Sequence, residues 1–258
     1  MRSSRALARI KAGDFVRIAG LGHYMPPYLR HAAHFGFDCI WLDLEHRAMD
    51  SREVQALLAF SHLFDIDIMV RPPTLEKSQL YRYFEDGAAG LMIPLVANRE
   101  QAEEMVRAVK FPPIGDRGID AAGLDADFTL HTDDDYTARA NAETFLVIQI
   151  ETVEAVENVE EIAATPGVDA LFVGIADLRL RLKHHSGKLT YEDAVQRVAT
   201  AARECGKAWG HPGTSAESVQ TLREMGAQLI PYAGEFLGNL RALEQSKASL
   251  DELLGPRG

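Results

Sequence analysis

Residues 145–174, FLVIQIETVEAVENVEEIAATPGVDALFVG, contain the pattern that decides the fold. The runs FLVIQIE (145–151) and VDALFVG (168–174) are apolar at most positions, as in strands that are buried on both faces. Between them, TVEAVENVEEIAA (152–164) has apolar residues at helical spacing. Since a strand, a helix and a second strand form a βαβ unit, we predict a parallel sheet covered by helices.

The same alternation extends along the whole chain. Eight strand candidates, each followed by a helix, match a (β/α)8 barrel of 258 residues. An open doubly wound sheet is the alternative, but no G-x-G-x-x-G pattern follows the first strand. The other six strand candidates are FVRIAG (15–20), CIWLDL (39–44), DIMVR (67–71), AGLMIPL (89–95), KAWGH (207–211) and AQLIPYAG (227–234).

The predicted domain organisation is simple. We expect one barrel domain over residues 1–258 and a C-terminal helix at 235–255. Residues 111–144 form an unusually long connection, predicted as a β–α loop insertion with a short helix in DDDYTARANA.

Composition limits the classes of partner. The formal net charge is −11 and no dense block of Lys and Arg occurs, so nucleic acid and membrane surfaces are poor partners. No run of about 18 apolar residues could span a membrane, and the N-terminal segment lacks the apolar centre of a secretory signal. Cys39 and Cys205 have no metal-type neighbours, and a disulfide is not expected. We predict a cytoplasmic protein whose partners are small molecules.

Polar residues stand where several predicted strands end. In a (β/α)8 barrel, these carboxyl-terminal ends build the active site. Each residue also has a structural alternative, such as an ion pair for Arg71, a helix-dipole contact for Glu151 or a helix N-cap for Asp177. Their coincidence at one predicted face favours a single site. The residues are Asp43, Glu45, His46, Arg71, Gln149, Glu151 and Asp177.

The residue types indicate the chemistry. Glu151 and Asp177 offer the oxygen ligands that Mg²⁺ or Mn²⁺ prefers. Arg71 can bind a carboxylate through two parallel hydrogen bonds, and Gln149 could orient a ligand or a metal-bound water. His46 titrates near neutral pH and suits proton transfer. A metal that polarises a 2-oxo acid and stabilises its enolate would use this whole set.

Several stretches resemble the HpcH/HpaI aldolase family, between about residues 14 and 240. The resemblance implies a metal-dependent aldehyde-lyase that uses Mg²⁺, Mn²⁺ or Co²⁺ and cleaves a 4-hydroxy-2-oxo acid to pyruvate and an aldehyde. It also implies a homo-oligomer, a hexamer built as a trimer of dimers, with the C-terminal helix exchanged between subunits. The stretches are GFDCIWLDLEH, VRPP, EDGAAGLMIPLV, FPPIGDRG and VIQIETVEAVENVEEIAATPGVDALFVGIADL.

The resemblance also implies a role for each site residue. Glu151 and Asp177 look like the metal ligands, with Gln149 as a neighbour of the metal. Arg71 looks like the group that faces the pyruvate carbonyl and enolate, and His46 like a base that acts through water, with Asp43 close by. The residues whose loop would donate backbone N–H groups to the pyruvate carboxylate are Gly174, Ile175 and Ala176.

The sequence departs from the family pattern at four positions. Ile175 stands in place of a proline, Arg179 in place of a small residue and Leu44 in place of a glycine. Glu85 stands where an aspartate that pairs with the histidine is common. These departures leave the substrate less determined than the metal ligands.

The sequence offers three alternatives to this function. A Schiff-base aldolase needs a lysine at a strand's carboxyl end, and Lys110, Lys183 and Lys207 lie elsewhere. A condensing enzyme, similar to a citrate synthase with oxaloacetate as acceptor, could use LRLRLK (178–183) to bind further carboxylates, unless this stretch is a solvated helix face. A non-catalytic metabolite-binding barrel is disfavoured by the presence of both predicted metal ligands.

Overall fold

The computed structural model describes residues 2–255, so residue 1 and residues 256–258 of the predicted domain lie outside the described residues. Eight parallel strands form a closed barrel in chain order, with β1 paired to both β2 and β8. The predicted (β/α)8 barrel is confirmed. The strands are β1 Val16–Leu21, β2 Cys39–Asp43, β3 Asp67–Arg71, β4 Gly90–Ile93, β5 Phe145–Ile150, β6 Ala170–Val173, β7 Ala208–Gly210 and β8 Leu229–Gly234.

Helices surround the barrel. The helix predicted over 152–164 is divided at Asn158 into two short helices. The α-helices of residues 2–255 are α1 Arg5–Ala12, α2 Pro26–His34, α3 Ser51–Phe64, α4 Lys77–Glu85, α5 Arg99–Val109, α6 Tyr136–Glu143, α7 Val153–Glu157, α8 Val159–Ala163, α9 Ile175–His184, α10 Tyr191–Glu204, α11 Ala216–Glu224 and α12 Glu235–Leu254. None of these helices has the length and apolar character needed to cross a membrane.

The core has two apolar layers. One fills the barrel interior and includes Cys39, Met69 and Phe172, all of them buried. The other lies between the strands and the helices and includes Leu57 and Ile148. Since strand side chains alternate between the two layers, both faces of each strand must be apolar, which explains the nearly continuous apolar runs.

Helix α1 was not predicted. The Ser4 side chain caps its first turn, and Ala6 and Leu7 are buried against the barrel. The buried Asp67 carboxylate anchors it by accepting hydrogen bonds from Ser4 Oγ and the Ala6 N–H, both at 2.7 Å. A serine cap followed by apolar residues at helical spacing was the signal that could have found it.

The long segment 111–144 was wrongly described as a β–α loop. It follows α5 and precedes β5, so it lies at the end of the barrel where the strands begin. It contains a 3₁₀ turn at Leu124–Ala126 and the predicted short helix, α6. A buried ion pair between Arg117 and Asp125, at 2.8 Å, holds the segment together. The insertion therefore leaves the opposite end, where active sites form, uncovered.

Helix α12 leaves the barrel directly after β8. Only its first residue, Glu235, is buried. Apolar side chains along the rest of the helix are exposed, including Leu243 at 70% and Leu253 at 79%. The barrel thus ends in a helix whose apolar residues are not covered by the described residues 2–255.

Candidate active site

Register between neighbouring strands places the first two predicted site residues side by side. Asp43 is the last residue of β2 and pairs in register with Arg71, the last residue of β3. The Arg71 guanidinium forms two contacts with the Asp43 carboxylate, at 2.8 and 3.0 Å, and one with Glu45 at 3.0 Å. It also lies 5.0 Å from the centre of the Trp41 ring. This fork is held in one orientation by three groups, the Asp43 and Glu45 carboxylates and the Trp41 ring.

The pairing perturbs the Asp43 carboxyl. Burial raises its pKa, but the hydrogen bond and charge of Arg71, together with the His46 backbone N–H, outweigh burial and hold the pKa below its usual value. Asp43 therefore stays ionised and fixes Arg71, rather than contacting the His46 imidazole. The Asp43 carboxylate also accepts the His46 backbone N–H at 3.4 Å.

The predicted metal ligands sit across the barrel mouth. Glu151 directly follows β5 and is 1% exposed. Its Oε1 accepts the Leu95 N–H at 2.7 Å, and its Oε2 accepts the Gln149 amide at 2.5 Å. Glu151 does not begin the helix, as one structural alternative proposed, because Thr152 is the cap of α7. Burial raises the pKa of Glu151, and the charges of Glu45 and Asp177 raise it further.

The N-terminus of α9 supplies the remaining predicted residues. Gly174 is the cap, so Asp177 stands in the first helical turn and is not the N-cap itself. The Gly174 N–H is bonded to the Ile150 carbonyl, which corrects its predicted role as a donor to pyruvate. The N–H groups of Ile175 and Ala176 belong to the first turn, where no intrahelical acceptor exists. Unbonded N–H groups at a helix N-terminus are suited to bind a carboxylate.

Gly174 is required for a different reason. A Cβ atom at this position would lie 2.6 Å from the Gln149 amide nitrogen and 2.7 Å from the Glu151 carboxylate. The absence of a side chain therefore lets α9 approach β5 closely enough for Asp177 and Glu151 to influence each other.

These groups surround a cavity of about 240 Å³. Its lining includes His46, Arg71, Gln149 and the residues from Gly174 to Asp177. Larger cavities of about 850 and 580 Å³ lie between α3 and α4 and at the opposite end of the barrel. The smaller cavity is the better candidate because it lies at the carboxyl ends of the strands and gathers the polar groups predicted for one site.

His46 is less constrained than the other site residues. Its side chain is 54% exposed, and its Nε2 lies 3.6 Å from the nearest Glu45 oxygen. Glu85, at the predicted position of a histidine partner, ends α4 at the opposite end of the barrel, near Arg117 and Asp125. Among residues 2–255, Glu85 therefore does not pair with His46, and the carboxylate close to the imidazole is that of Glu45.

The lysine positions disfavour Schiff-base chemistry. Lys110 donates to the Thr144 carbonyl at 2.6 Å, and Lys207 donates to the Val168 carbonyl at 2.7 Å, both where strands begin. Lys183 lies on α9, outside the lining of the 240 Å³ cavity. No lysine lines this cavity among residues 2–255.

Comparison with known proteins identifies the family. The sequence model described as HpcH/HpaI aldolase/citrate lyase matches residues 22–235. The chain belongs to this family. The matched range includes every predicted site residue of the barrel mouth.

Relatives and solved structures extend this result. The chain is 34% identical over 223 residues to a hydroxypyruvate/pyruvate aldolase of Paraburkholderia phytofirmans, covering 83% of this chain and 85% of the relative. It is similar to the HpcH/HpaI aldolase of Desulfitobacterium hafniense, with a TM-score of 0.87, 28% identity and coverage of 97% and 98%. The citrate synthase SbnG has a TM-score of 0.82 at 23% identity, covers 95% of this chain and 97% of its own, and is evidence for the fold alone.

Members of this family are expected to hold a divalent metal, and the site fits one. Glu151 and Asp177 provide oxygen donors, and Glu45 brings a third carboxylate near enough to act on Glu151. Gln149 Oε1 is buried and accepts no hydrogen bond from the described residues. No group of three or more His, Cys, Asp or Glu in residues 2–255 could hold a metal by itself. Two carboxylates would leave positions for water or substrate, as hard cations such as Mg²⁺ allow.

A second polar cluster stands beside the mouth. The Tyr191 hydroxyl and His211 Nε2 are 2.7 Å apart, and the Arg179 guanidinium lies 4.3 Å from the Tyr191 ring centre. Burial lowers the pKa of His211, as does Arg179, although the Pro212 carbonyl opposes them. Arg179 is thus engaged with the Tyr191 ring, and it does not line the 240 Å³ cavity.

Sequence reasoning missed several contacts at the mouth. The contact of Glu45 with Arg71, the Leu95 N–H and the Trp41 ring were not predicted. Only Glu45 and Trp41 carried a signal, because both stand within the WLDLEH stretch at the end of β2. Leu95 has a φ of 59°, an unusual value for a non-glycine residue that sequence alone does not reveal.

Proposed function

We propose that the chain is a divalent-metal-dependent aldolase that cleaves a 4-hydroxy-2-oxo acid to pyruvate and an aldehyde. The observation that carries the proposal is that Arg71, Gln149 and Asp177 line one cavity at the barrel mouth, with the Glu151 carboxylate bonded to the Gln149 amide. Family membership and the 34% identity to a hydroxypyruvate/pyruvate aldolase support the reaction class.

In this proposal, Glu151 and Asp177 hold the cation. When bound, the cation supplies Lewis-acid stabilisation of negative charge on the 2-oxo acid. The free N–H groups of Ile175 and Ala176 bind the substrate carboxylate at the start of α9. Arg71, fixed by its two carboxylate partners, directs its guanidinium to the oxygen where negative charge grows.

The bond changes assign a separate task to His46. Cleavage of the C3–C4 bond leaves its electron pair on C3 as an enolate, while the 4-hydroxyl loses its proton and becomes the aldehyde oxygen. His46 accepts that proton, and protonation of C3 then gives the pyruvate methyl group. The exposed imidazole suits exchange of this proton with solvent.

The proposal includes a homo-oligomer in which α12 packs against a second copy of the chain. Exposed apolar residues on α12, among them Leu243 and Leu253, support it because such side chains are usually covered in the functional assembly. Leu243→Asp should lower the molar mass measured by light scattering, whereas a monomeric parent protein would contradict this part of the proposal.

The decisive assay measures pyruvate release. The protein is incubated with Mg²⁺, Mn²⁺ or Co²⁺ and a panel of 4-hydroxy-2-oxo acids, and pyruvate is quantified with lactate dehydrogenase and NADH. Activity should require the metal and disappear with a chelator. Metal and pyruvate binding without turnover of any substrate would favour a non-catalytic barrel. Condensation with oxaloacetate in place of cleavage would favour the condensing alternative.

A further inference from the structure

A second cavity, of about 170 Å³, adjoins the first at the barrel mouth. It lies where β1, β2 and β8 end, and its lining includes Trp41, Arg47, Glu235 and Phe236. Trp41 lines both cavities, and its ring lies beneath the Arg71 guanidinium. A substrate held at the first cavity therefore has the second one beside it.

The wall of this cavity contains a buried carboxylate that is only half satisfied. Glu235 is 4% exposed. Its Oε1 accepts the Gly22 N–H at 3.0 Å and lies 2.6 Å from His23 Nδ1. Its Oε2 is buried and accepts no hydrogen bond from any described residue. Such an acceptor calls for a donor, since an unpaired buried oxygen is costly.

The same wall also contains a buried hydrogen-bond donor that lacks an acceptor. The indole Nε1 of Trp41 is buried and donates to no described residue. The neighbouring Arg47 cannot serve both groups, because a guanidinium has only N–H donors and cannot accept from the indole; it donates to the His46 carbonyl at 2.7 Å and lies 4.8 Å from the Phe236 ring centre. One hydroxyl group can donate to a carboxylate and accept from an indole N–H at the same time.

His23 fixes the carboxylate. With its Nδ1 bonded to Glu235 and its ring 4.9 Å from the Phe236 ring, the imidazole holds Oε1 in place, while Oε2 has no partner among the described residues. The His23 side chain is 56% exposed, so its removal should not disturb the core.

We propose that Glu235 and Trp41 bind a hydroxyl group on the aldehyde part of the substrate, with His23 as the positioning residue. The preferred aldehydes are then short and hydroxylated at the carbon next to the carbonyl. The aldehyde preference depends on the aldolase reaction proposed above. The hydroxyl site depends only on the residues that line the second cavity.

The kinetic test compares two aldehydes that differ by one hydroxyl. Aldol addition of pyruvate to glycolaldehyde and to acetaldehyde is measured in the presence of Mg²⁺. The kcat/KM for glycolaldehyde is divided by the kcat/KM for acetaldehyde, and this ratio is compared between the parent protein and its variants. In Glu235→Gln this ratio should fall about tenfold, the loss expected for a hydrogen bond to a charged group. His23→Ala should lower it in the same direction. His34→Ala, an exposed histidine at the end of α2, is the matched control and should leave the ratio unchanged.

A binding test separates this inference from the reaction. The chain has two tryptophans, so Trp209→Phe leaves Trp41 as the only indole. Its fluorescence should respond to glyceraldehyde at concentrations about tenfold below those of propanal, and Glu235→Gln should abolish the difference. If the difference is seen without any aldol product, the reaction is wrong and the hydroxyl site stands. Equal responses to both aldehydes, with a kinetic ratio that does not change in Glu235→Gln, would overturn the hydroxyl site.

Discussion

Replacing Arg71 by lysine tests whether this residue serves the reaction or only the fold. The guanidinium makes three contacts with two carboxylates, and its side chain is 9% exposed. An ammonium keeps the charge but cannot span Asp43 and Glu45 as a planar fork does. At least one charge-assisted hydrogen bond is lost, which should lower the free energy of unfolding by about 1.5–3 kcal/mol.

Arg71→Lys should lose more activity than its reduced stability alone can explain. Loss of an oriented donor at a developing oxyanion lowers kcat by about a hundredfold or more. Asp43→Asn is the matched control, because it weakens the same ion pair and leaves the guanidinium in place. Its activity should fall by less than about tenfold, since only the orientation of Arg71 suffers.

The assay combines urea unfolding with steady-state pyruvate release at a temperature where all three proteins are fully folded. Under these conditions a purely structural Arg71 would cause no greater loss of kcat in Arg71→Lys than in Asp43→Asn. Equal losses, or parental turnover by Arg71→Lys despite reduced stability, would refute the role assigned to the guanidinium.

Three further predictions concern the metal, the base and the pH dependence of stability. Glu151→Ala and Asp177→Ala should each abolish Mn²⁺ binding measured by calorimetry while circular dichroism remains parental, and parental affinity in either variant would rule that residue out as a ligand. His46→Ala should retain metal and pyruvate binding but lose about 10²–10⁴-fold in cleavage rate and show a weaker acidic limb in its pH–rate profile, and an unchanged limb would exclude His46 as the base. The pKa of His211 is lowered in the folded state. Its contribution to stability is therefore full above the unfolded-state pKa of about 6.5 and is lost as the pH falls toward the folded-state pKa. Urea unfolding between pH 8 and 5 should show a steeper loss of stability in the parent protein than in His211→Gln.

The alternation of strands and helices was readable from the sequence because it depends on local pattern. A barrel strand is buried on both faces, so its apolar run is continuous, as in CIWLDL and FLVIQIE. The apolar residues of SREVQALLAFSHLF (51–64) stand at helical spacing, and α3 occupies this range, with a capping box of Asp50 and Glu53 at its start. Sequence order alone also fixes the position of segment 111–144 after a helix, so describing it as a β–α loop was an avoidable error.

The positions of the candidate site residues followed from the fold class. In a parallel barrel all strands point the same way, so the residues that follow β2, β3, β5 and β6 must meet at one end. The fold class does not show which of these residues contact each other. Arg71 binds Asp43, 28 residues away, and Leu95 donates to Glu151, 56 residues away.

Closure of the barrel decided which residues of the first and last strands' ends contact each other. Glu235 meets Gly22 and His23 across 213 and 212 residues only because β8 pairs with β1. The sequence determined where the strands and most of the helices lie, since periodicity is a property of neighbouring residues, but it revealed neither α1 nor the division at Asn158. The tertiary structure alone decided which side chains share a hydrogen bond, a cavity or a charge, because strand register and barrel closure bring together residues that no local pattern connects.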